Sequence, residues 1–123
     1  MRARPSLELL QWVGLFAAPI AWTVQLLVGF SASVAACSVG GRSIPLETWQ
    51  VSITVATALL AVGGQAAAVL AWRATRGQEE DDPAPAGRIH FFADASLLAN
   101  TIFIVLILLG GITAAYHSPC RQA

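Results

Sequence analysis

The sequence IFIVLILL at residues 102–109 is a run of eight large apolar side chains. A helix in a water-soluble bundle carries a polar stripe that recurs with each turn, and this run has none. No charged residue occurs between Asp94 and Arg121. A helix rises ~1.5 Å per residue and the hydrocarbon core of a membrane is ~30 Å thick, so about 20 apolar residues cross it. The stretch therefore predicts a transmembrane helix over roughly residues 91–116.

Two more stretches lack charged residues, from Glu8 to Arg42 and from Glu47 to Arg73. They predict helices over roughly residues 9–36 and 49–72. The chain has 123 residues, and only 11% of them are charged, against about 25% in a typical soluble domain. Too few residues remain outside the spans for a soluble domain. We therefore expect an all-α membrane protein, with three transmembrane helices in one membrane domain over residues 1–123.

The arginines predict the orientation of these helices. All seven basic residues are Arg, and the net charge is zero, which gives no indication of nucleic acid binding. Arginine close to the end of a span favours the cytoplasmic side. We therefore expect the N-terminus and the loop 73–88 in the cytoplasm, and the C-terminus outside, across a bacterial cytoplasmic membrane. Arg2, Arg4, Arg73, Arg76 and Arg88 would lie inside, and Arg42 and Arg121 outside.

The two cysteines are predicted to meet at the outer surface. Cys37 ends the first predicted helix and Cys120 follows the third, and both helices run outward. The outer compartment of a bacterium is oxidising, so disulfides persist there. We expect a structural Cys37–Cys120 disulfide that makes these two helices neighbours. Two free thiols, a redox-active pair, a metal site that includes His117 and lipoprotein cleavage before Cys37 are the alternatives.

Small and polar residues within the spans predict how the helices pack. Membrane helices associate through small residues that allow close backbone approach, and through hydrogen bonds between helices. Each glutamine within a span needs a hydrogen-bond partner there. The candidate packing residues are Gly14, Ala18, Gln25 and Gly29 in the first helix, and Gly63 and Gln65 in the second.

His90, Asp94 and Asn100 form a candidate polar site within the membrane. Asp94 follows His90 by four residues, which places both on one helix face, and Asn100 is expected to continue that side. An intramembrane carboxylate either transfers protons or pairs with a cation, here Arg88, Arg73 or His90. No Ser-His-Asp set, phosphate loop or metal cluster occurs in the sequence. We therefore expect that the chain by itself is not an enzyme and binds no metal or cofactor alone.

The first helix carries Pro-x-Ala-Trp-x-x-Gln at residues 19–25 between Gly14 and Gly29, then Cys37, and Pro119–Cys120 lies near the C-terminus. This pattern resembles small three-helix bacterial membrane proteins encoded beside haem–copper cytochrome c oxidase genes. The resemblance covers the first and third helices and supplies no catalytic residues.

The resemblance implies a non-catalytic accessory subunit of a respiratory complex that functions in electron transport. Its partners would be lipids and larger membrane subunits, and those subunits would carry the haem and copper. An oxidase assembly or copper-delivery factor is one alternative function. A small proton-linked transporter that uses Asp94 is the other.

Overall fold

The computed structural model describes residues 7–38, 46–77 and 86–116. It contains three α-helices, α1 (Leu7–Ser38), α2 (Leu46–Ala74) and α3 (Ala86–Tyr116). Each helix is long and apolar enough to cross a membrane. The prediction of an all-α protein is therefore confirmed for the described residues, with three helices long and apolar enough to span a membrane, as in a multi-pass membrane protein.

The helices are longer than the apolar stretches that predicted them. They have 32, 29 and 31 residues, which at ~1.5 Å per residue exceeds the ~30 Å hydrocarbon thickness. α3 begins at Ala86, five residues before the predicted start at 91, so the loop predicted over 73–88 is shorter. Hydropathy marks where a helix is apolar, whereas a helix continues through charged residues once it leaves the hydrocarbon.

A turn that contains a glycine in a left-handed conformation follows the end of α2. Gly77 has φ +91°, which costs a glycine little because it has no Cβ. The amide nitrogen of Thr75 donates to the carbonyl oxygen of Ala71 at 3.1 Å, and that of Arg76 donates to Arg73 at 3.4 Å. These bonds use carbonyls that the end of a helix otherwise leaves without partners.

Contacts between helices establish their directions. Glu8 contacts Arg88 and Gly14 contacts Asn100, so α1 and α3 run parallel. Gln25 precedes Gly29 along α1, but their contacts on α2, Thr54 and Gln50, follow in the reverse order. α2 therefore runs antiparallel to α1. α1 and α3 begin at one end of the bundle, which we call the Trp72 end. α2 begins at the other end, which we call the Trp49 end.

Two apolar clusters fill the space between the three helices. The central cluster consists of Ala18, Ala21, Ala61 and Ile107, with the rings of Trp22 and Phe103 packed against it. The second cluster lies nearer the Trp72 end and consists of Ala71, Ile89 and Ala93, with Leu10 and Trp72 packed against it. Alanine dominates both clusters, which allows the helix backbones to approach closely.

α1 and α2 approach each other closely at two glycines. A Cβ built on Gly14 would lie 3.0 Å from the backbone nitrogen of Ala68, and one on Gly64 would lie 2.8 Å from the Cβ of Ala17. A Cβ at Gly63 meets no described atom within 4 Å. The prediction that Gly63 packs within the bundle is therefore wrong. Gly64 takes that role, because the helical rotation of 100° between neighbours directs Gly63 outward.

Candidate functional site: polar layers inside the bundle

Seven polar residues are buried between the helices in the described part of the chain. They lie at several levels along the bundle, separated in part by the apolar clusters. They are Gln11, Gln25, Gln50, Thr57, Thr75, Ser96 and Asn100.

Gln25 joins all three helices near the middle of the bundle. Its Nε2 donates to the carbonyl oxygen of Ile107 on α3 at 2.9 Å, and lies 3.3 Å from the Oγ1 of Thr54 on α2. The Thr54 hydroxyl donates to the carbonyl oxygen of Gln50 at 2.7 Å, so its oxygen is free to accept from Gln25. Hydrogen bonds between membrane helices contribute about 0.6–2 kcal/mol each. The site residue Gln25 is therefore a crosslink between helices.

Gln50 forms a second crosslink at the Trp49 end. Its Nε2 donates to the carbonyl oxygen of Gly29 at 3.1 Å and lies 3.2 Å from the Oγ of Ser33. A Cβ on Gly29 would lie 3.1 Å from the Oε1 of Gln50. Gly29 therefore provides both the acceptor and the space for the Gln50 side chain.

Gln65 connects α2 to α3. Its Nε2 lies 3.2 Å from the Oγ1 of Thr101 and 3.4 Å from the carbonyl oxygen of Leu97. The Thr101 hydroxyl donates to Leu97 at 2.8 Å, so it accepts from Gln65.

Asn100 connects α3 to α1. It is fully buried, and its Nδ2 donates to the carbonyl oxygen of Gly14 at 2.7 Å. The small residue at position 14 therefore has two functions, since it allows α2 to approach and exposes its carbonyl oxygen to Asn100. Ala18, four residues further along α1, belongs to the central apolar cluster.

The expectation that Asn100 shares one site with His90 and Asp94 is wrong. Asp94 is half exposed, while Asn100 is fully buried and bonded to α1. Six residues turn a helix by 600°, which leaves Asn100 120° away from Asp94 around the axis. The structure brings together only His90 and Asp94, at 3.7 Å between Nε2 and Oδ2.

His90 lies in a cluster at the Trp72 end. Its Nδ1 is 3.1 Å from the Oγ1 of Thr75. The Thr75 hydroxyl also donates to the carbonyl oxygen of Ala71 at 2.8 Å, and the imidazole tautomer decides which of Thr75 and His90 donates in their contact. The Thr75–His90–Asp94 series connects the end of α2 to α3.

Two other contacts surround this cluster. Arg88 pairs with Glu8 at 2.6 Å, with both side chains substantially exposed, so this predicted partner of Asp94 is engaged by α1. The Arg76 guanidinium lies 5.1 Å from the centre of the Trp72 ring, and that ring stacks on His90. Aromatic and arginine side chains of this kind are typical of the interface between membrane and water.

Cys37 is disulfide-bonded. Its predicted partner Cys120 lies outside the described residues, as do His117 and Pro119, so the Cys37–Cys120 pairing stays a prediction. Within residues 7–38, 46–77 and 86–116, no group of three or more His, Cys, Asp or Glu side chains is placed to hold a metal ion.

Two of the seven buried polar residues within the described ranges, Gln25 and Asn100, were named as candidates from the sequence. Five were not, namely Gln11, Gln50, Thr57, Thr75 and Ser96. A polar side chain in or beside an apolar stretch marks a candidate, but it does not distinguish a buried position from an exposed one close to the end of a helix. No protein-family model, curated protein or solved structure matches this chain.

Proposed function

We propose that this chain is a non-catalytic accessory subunit of a bacterial respiratory oxidase of the haem–copper type, in the cytoplasmic membrane with its N-terminus in the cytoplasm. The oxidase assignment rests on the resemblance of residues 14–37 and of Pro119–Cys120 to proteins encoded beside oxidase genes. The orientation rests on the arginine distribution. In this proposal the larger subunits carry haem and copper, and this chain contributes a rigid packing surface.

The observation that carries the proposal is one exposed face of α2 built from small residues. We call it the α2 small-residue face; it consists of Ser52, Ala56, Gly63 and Ala66, all of them exposed. Their spacings of four, seven and three residues place them on one side of a helix. Lipid chains require only apolar area, which large side chains supply best. Small residues instead favour the close approach of another helix.

The exposed glycine at position 63 supports the same proposal. Glycine within a helix costs about 1 kcal/mol relative to alanine, and inside this bundle nothing described lies near enough to require it. A helix of a larger subunit packed against α2 would require a small residue there, as Ala17 requires Gly64, which lies 100° further around the helix. Two large side chains share this face: Leu59 lies between Ala56 and Gly63, and Leu70 lies one turn beyond Ala66. They are 68% and 53% exposed, so they would supply apolar area to the contact.

The alternative functions have less support. Copper delivery needs a free thiolate, and Cys37 is already bonded. A proton-linked transporter would place its carboxylate deep in the membrane, whereas Asp94 lies near the Trp72 end beside His90. The buried amide groups of Gln25, Gln50 and Asn100 all bond across helices, which is the behaviour of a structural bundle.

Copurification from bacterial membranes in mild detergent tests the proposal. A tag on this chain should recover larger subunits that show the absorption bands of haem. Gly63→Leu should greatly reduce that recovery while leaving the bundle folded, because its side chain projects away from α1 and α3. Ala95→Leu is the matched control, since it also introduces a leucine, at an exposed position of α3, and should leave recovery unchanged.

The proposal fails if the chain is recovered as a free particle without haem under conditions in which the oxidase itself stays intact. Equal recovery with wild type and Gly63→Leu would reject the α2 small-residue face as the contact, even if haem subunits copurify.

A further inference from the structure

Three buried side chains near the Trp72 end carry polar atoms that have no partner among the described residues. These atoms are both amide atoms of Gln11, the Oγ of Ser96 and the Oδ1 of Asn100. Each of the three residues is at most 1% exposed. A buried polar group without a hydrogen bond is unfavourable, and lipid supplies none. The atoms therefore need a partner that reaches the interior of the bundle.

The three side chains lie in one layer between α1 and α3. On α1, Gln11 lies midway between Glu8 and Gly14, which contact Arg88 and Asn100 on α3. Gln11 is therefore level with the part of α3 between those two residues. Ser96 lies in that part, one turn before Asn100 and on the same helix face. The unpartnered atoms from both helices thus lie within about one helical turn of each other along the bundle.

The layer has small neighbours and apolar boundaries. α2 contributes Ala67 and Ala68 at this level, both buried, and α1 contributes Gly14. Towards the Trp49 end lies the central apolar cluster, and towards the Trp72 end lies the cluster of Ala71, Ile89 and Ala93. The apolar clusters separate the layer from both ends of the bundle.

We infer that this layer binds one or two internal water molecules, which bridge the amide of Gln11, the hydroxyl of Ser96 and the Oδ1 of Asn100. Water fits because the set contains both donors and acceptors, and a buried water typically makes about three hydrogen bonds to otherwise unpartnered groups. A direct bond between Gln11 and Ser96 would leave at least one amide atom of Gln11 and the Oδ1 of Asn100 without a partner. The bridge ties α1 to α3 near the Trp72 end.

Magnetisation transfer from water to side-chain amide protons, measured by NMR on the ¹⁵N-labelled protein in nanodiscs, tests this inference. The amides of Gln11 and Asn100 should show cross-peaks with water that have the sign of a long-lived bound molecule. Gln25 is the internal control, because its Nε2 bonds to Ile107 and Thr54 and should show none. Absence of the cross-peaks at Gln11 and Asn100, or equal cross-peaks at Gln25, would overturn the inference.

A variant tests the bridge itself. In Gln11→Leu the water loses its α1 partner, so the cross-peak at Asn100 should be lost or fall several-fold. An Asn100 cross-peak of unchanged intensity in folded Gln11→Leu would show that no water bridges the two residues. The wild-type measurement remains decisive if Gln11→Leu does not fold.

Discussion

Replacing Gly64 by Ala tests how tightly α1 and α2 pack. The new Cβ would lie 2.8 Å from the Cβ of Ala17, whereas ordinary contact begins at 3.4 Å, so the two helices must separate by about 0.6 Å there. The Ala17 Cβ is fixed to the α1 backbone and has no rotamer that relieves the overlap. Overpacking of this kind typically costs about 1–3 kcal/mol. We expect this overlap with Ala17 to lower the free energy of unfolding by that amount, against the gain in helix propensity that replacing glycine by alanine brings.

Gly63→Ala is the matched control. It makes the same chemical change one residue earlier, where no described atom lies within 4 Å of the new Cβ. The gain in helix propensity, about 1 kcal/mol for glycine to alanine, is common to both variants and cancels when they are compared. The difference in stability between them therefore reports the contact with Ala17.

Unfolding by SDS in mixed micelles, followed by tryptophan fluorescence, measures this difference. Four tryptophans are available as probes. If Gly64→Ala and Gly63→Ala agree within about 0.5 kcal/mol, the usual scatter of substitutions that meet no contact, then the α1–α2 packing described above is refuted.

The remaining predictions concern the polar groups and the cysteines. Gln25→Met should lower stability by about 0.6–2 kcal/mol in the same assay, because the bond to Ile107 is lost; no change would show that this bond does not stabilise the bundle. Asp94→Asn should change stability by less than about 0.5 kcal/mol, since the carboxylate is 46% exposed and 3.7 Å from its histidine partner; a larger loss would contradict that placement. Cys37 and Cys120 should resist maleimide labelling until a reductant is added, and ready labelling of the untreated protein would exclude the predicted pairing.

The number of helices could be predicted from the sequence, because membrane thickness sets a minimum apolar length that soluble segments rarely reach. The helix ends could not. Arg88 and His90 interrupt the apolar stretch without interrupting the helix, so α3 begins at Ala86. Hydropathy indicates which residues favour lipid over water, whereas the hydrogen bonds of a helix continue across the membrane interface.

Which side of each helix faces inward was harder to predict. In a soluble protein the apolar stripe marks the interior, but lipid is as apolar as the interior of this bundle. The small residues of α2 therefore occur on more than one side, and Gly63 and Gly64 could not be distinguished before the register of α1 was known. Asn100 and Asp94 present the same difficulty, since their positions around α3 differ by 120°.

The candidate site could be predicted only in part. Glutamine in an apolar stretch requires a partner, so Gln25 and Gln65 were identifiable as packing residues from the sequence. The partners themselves are backbone carbonyl oxygens and threonine hydroxyls, such as Ile107 and Thr101, which no sequence pattern distinguishes from their neighbours. Gln11 and Ser96 lie close to the charged ends of their helices, where a polar side chain in the sequence suggests exposure to water rather than burial.

A photo-crosslinking amino acid at position 63, introduced into living bacteria, probes the α2 small-residue face in its native membrane. The proposed function predicts a covalent adduct with a larger, haem-bearing subunit from position 63, and no such adduct from position 98, where the native Leu98 is 69% exposed on α3. If position 63 gives only the free chain or lipid adducts, while the oxidase is assembled and active, then α2 faces lipid and the proposed docking is contradicted.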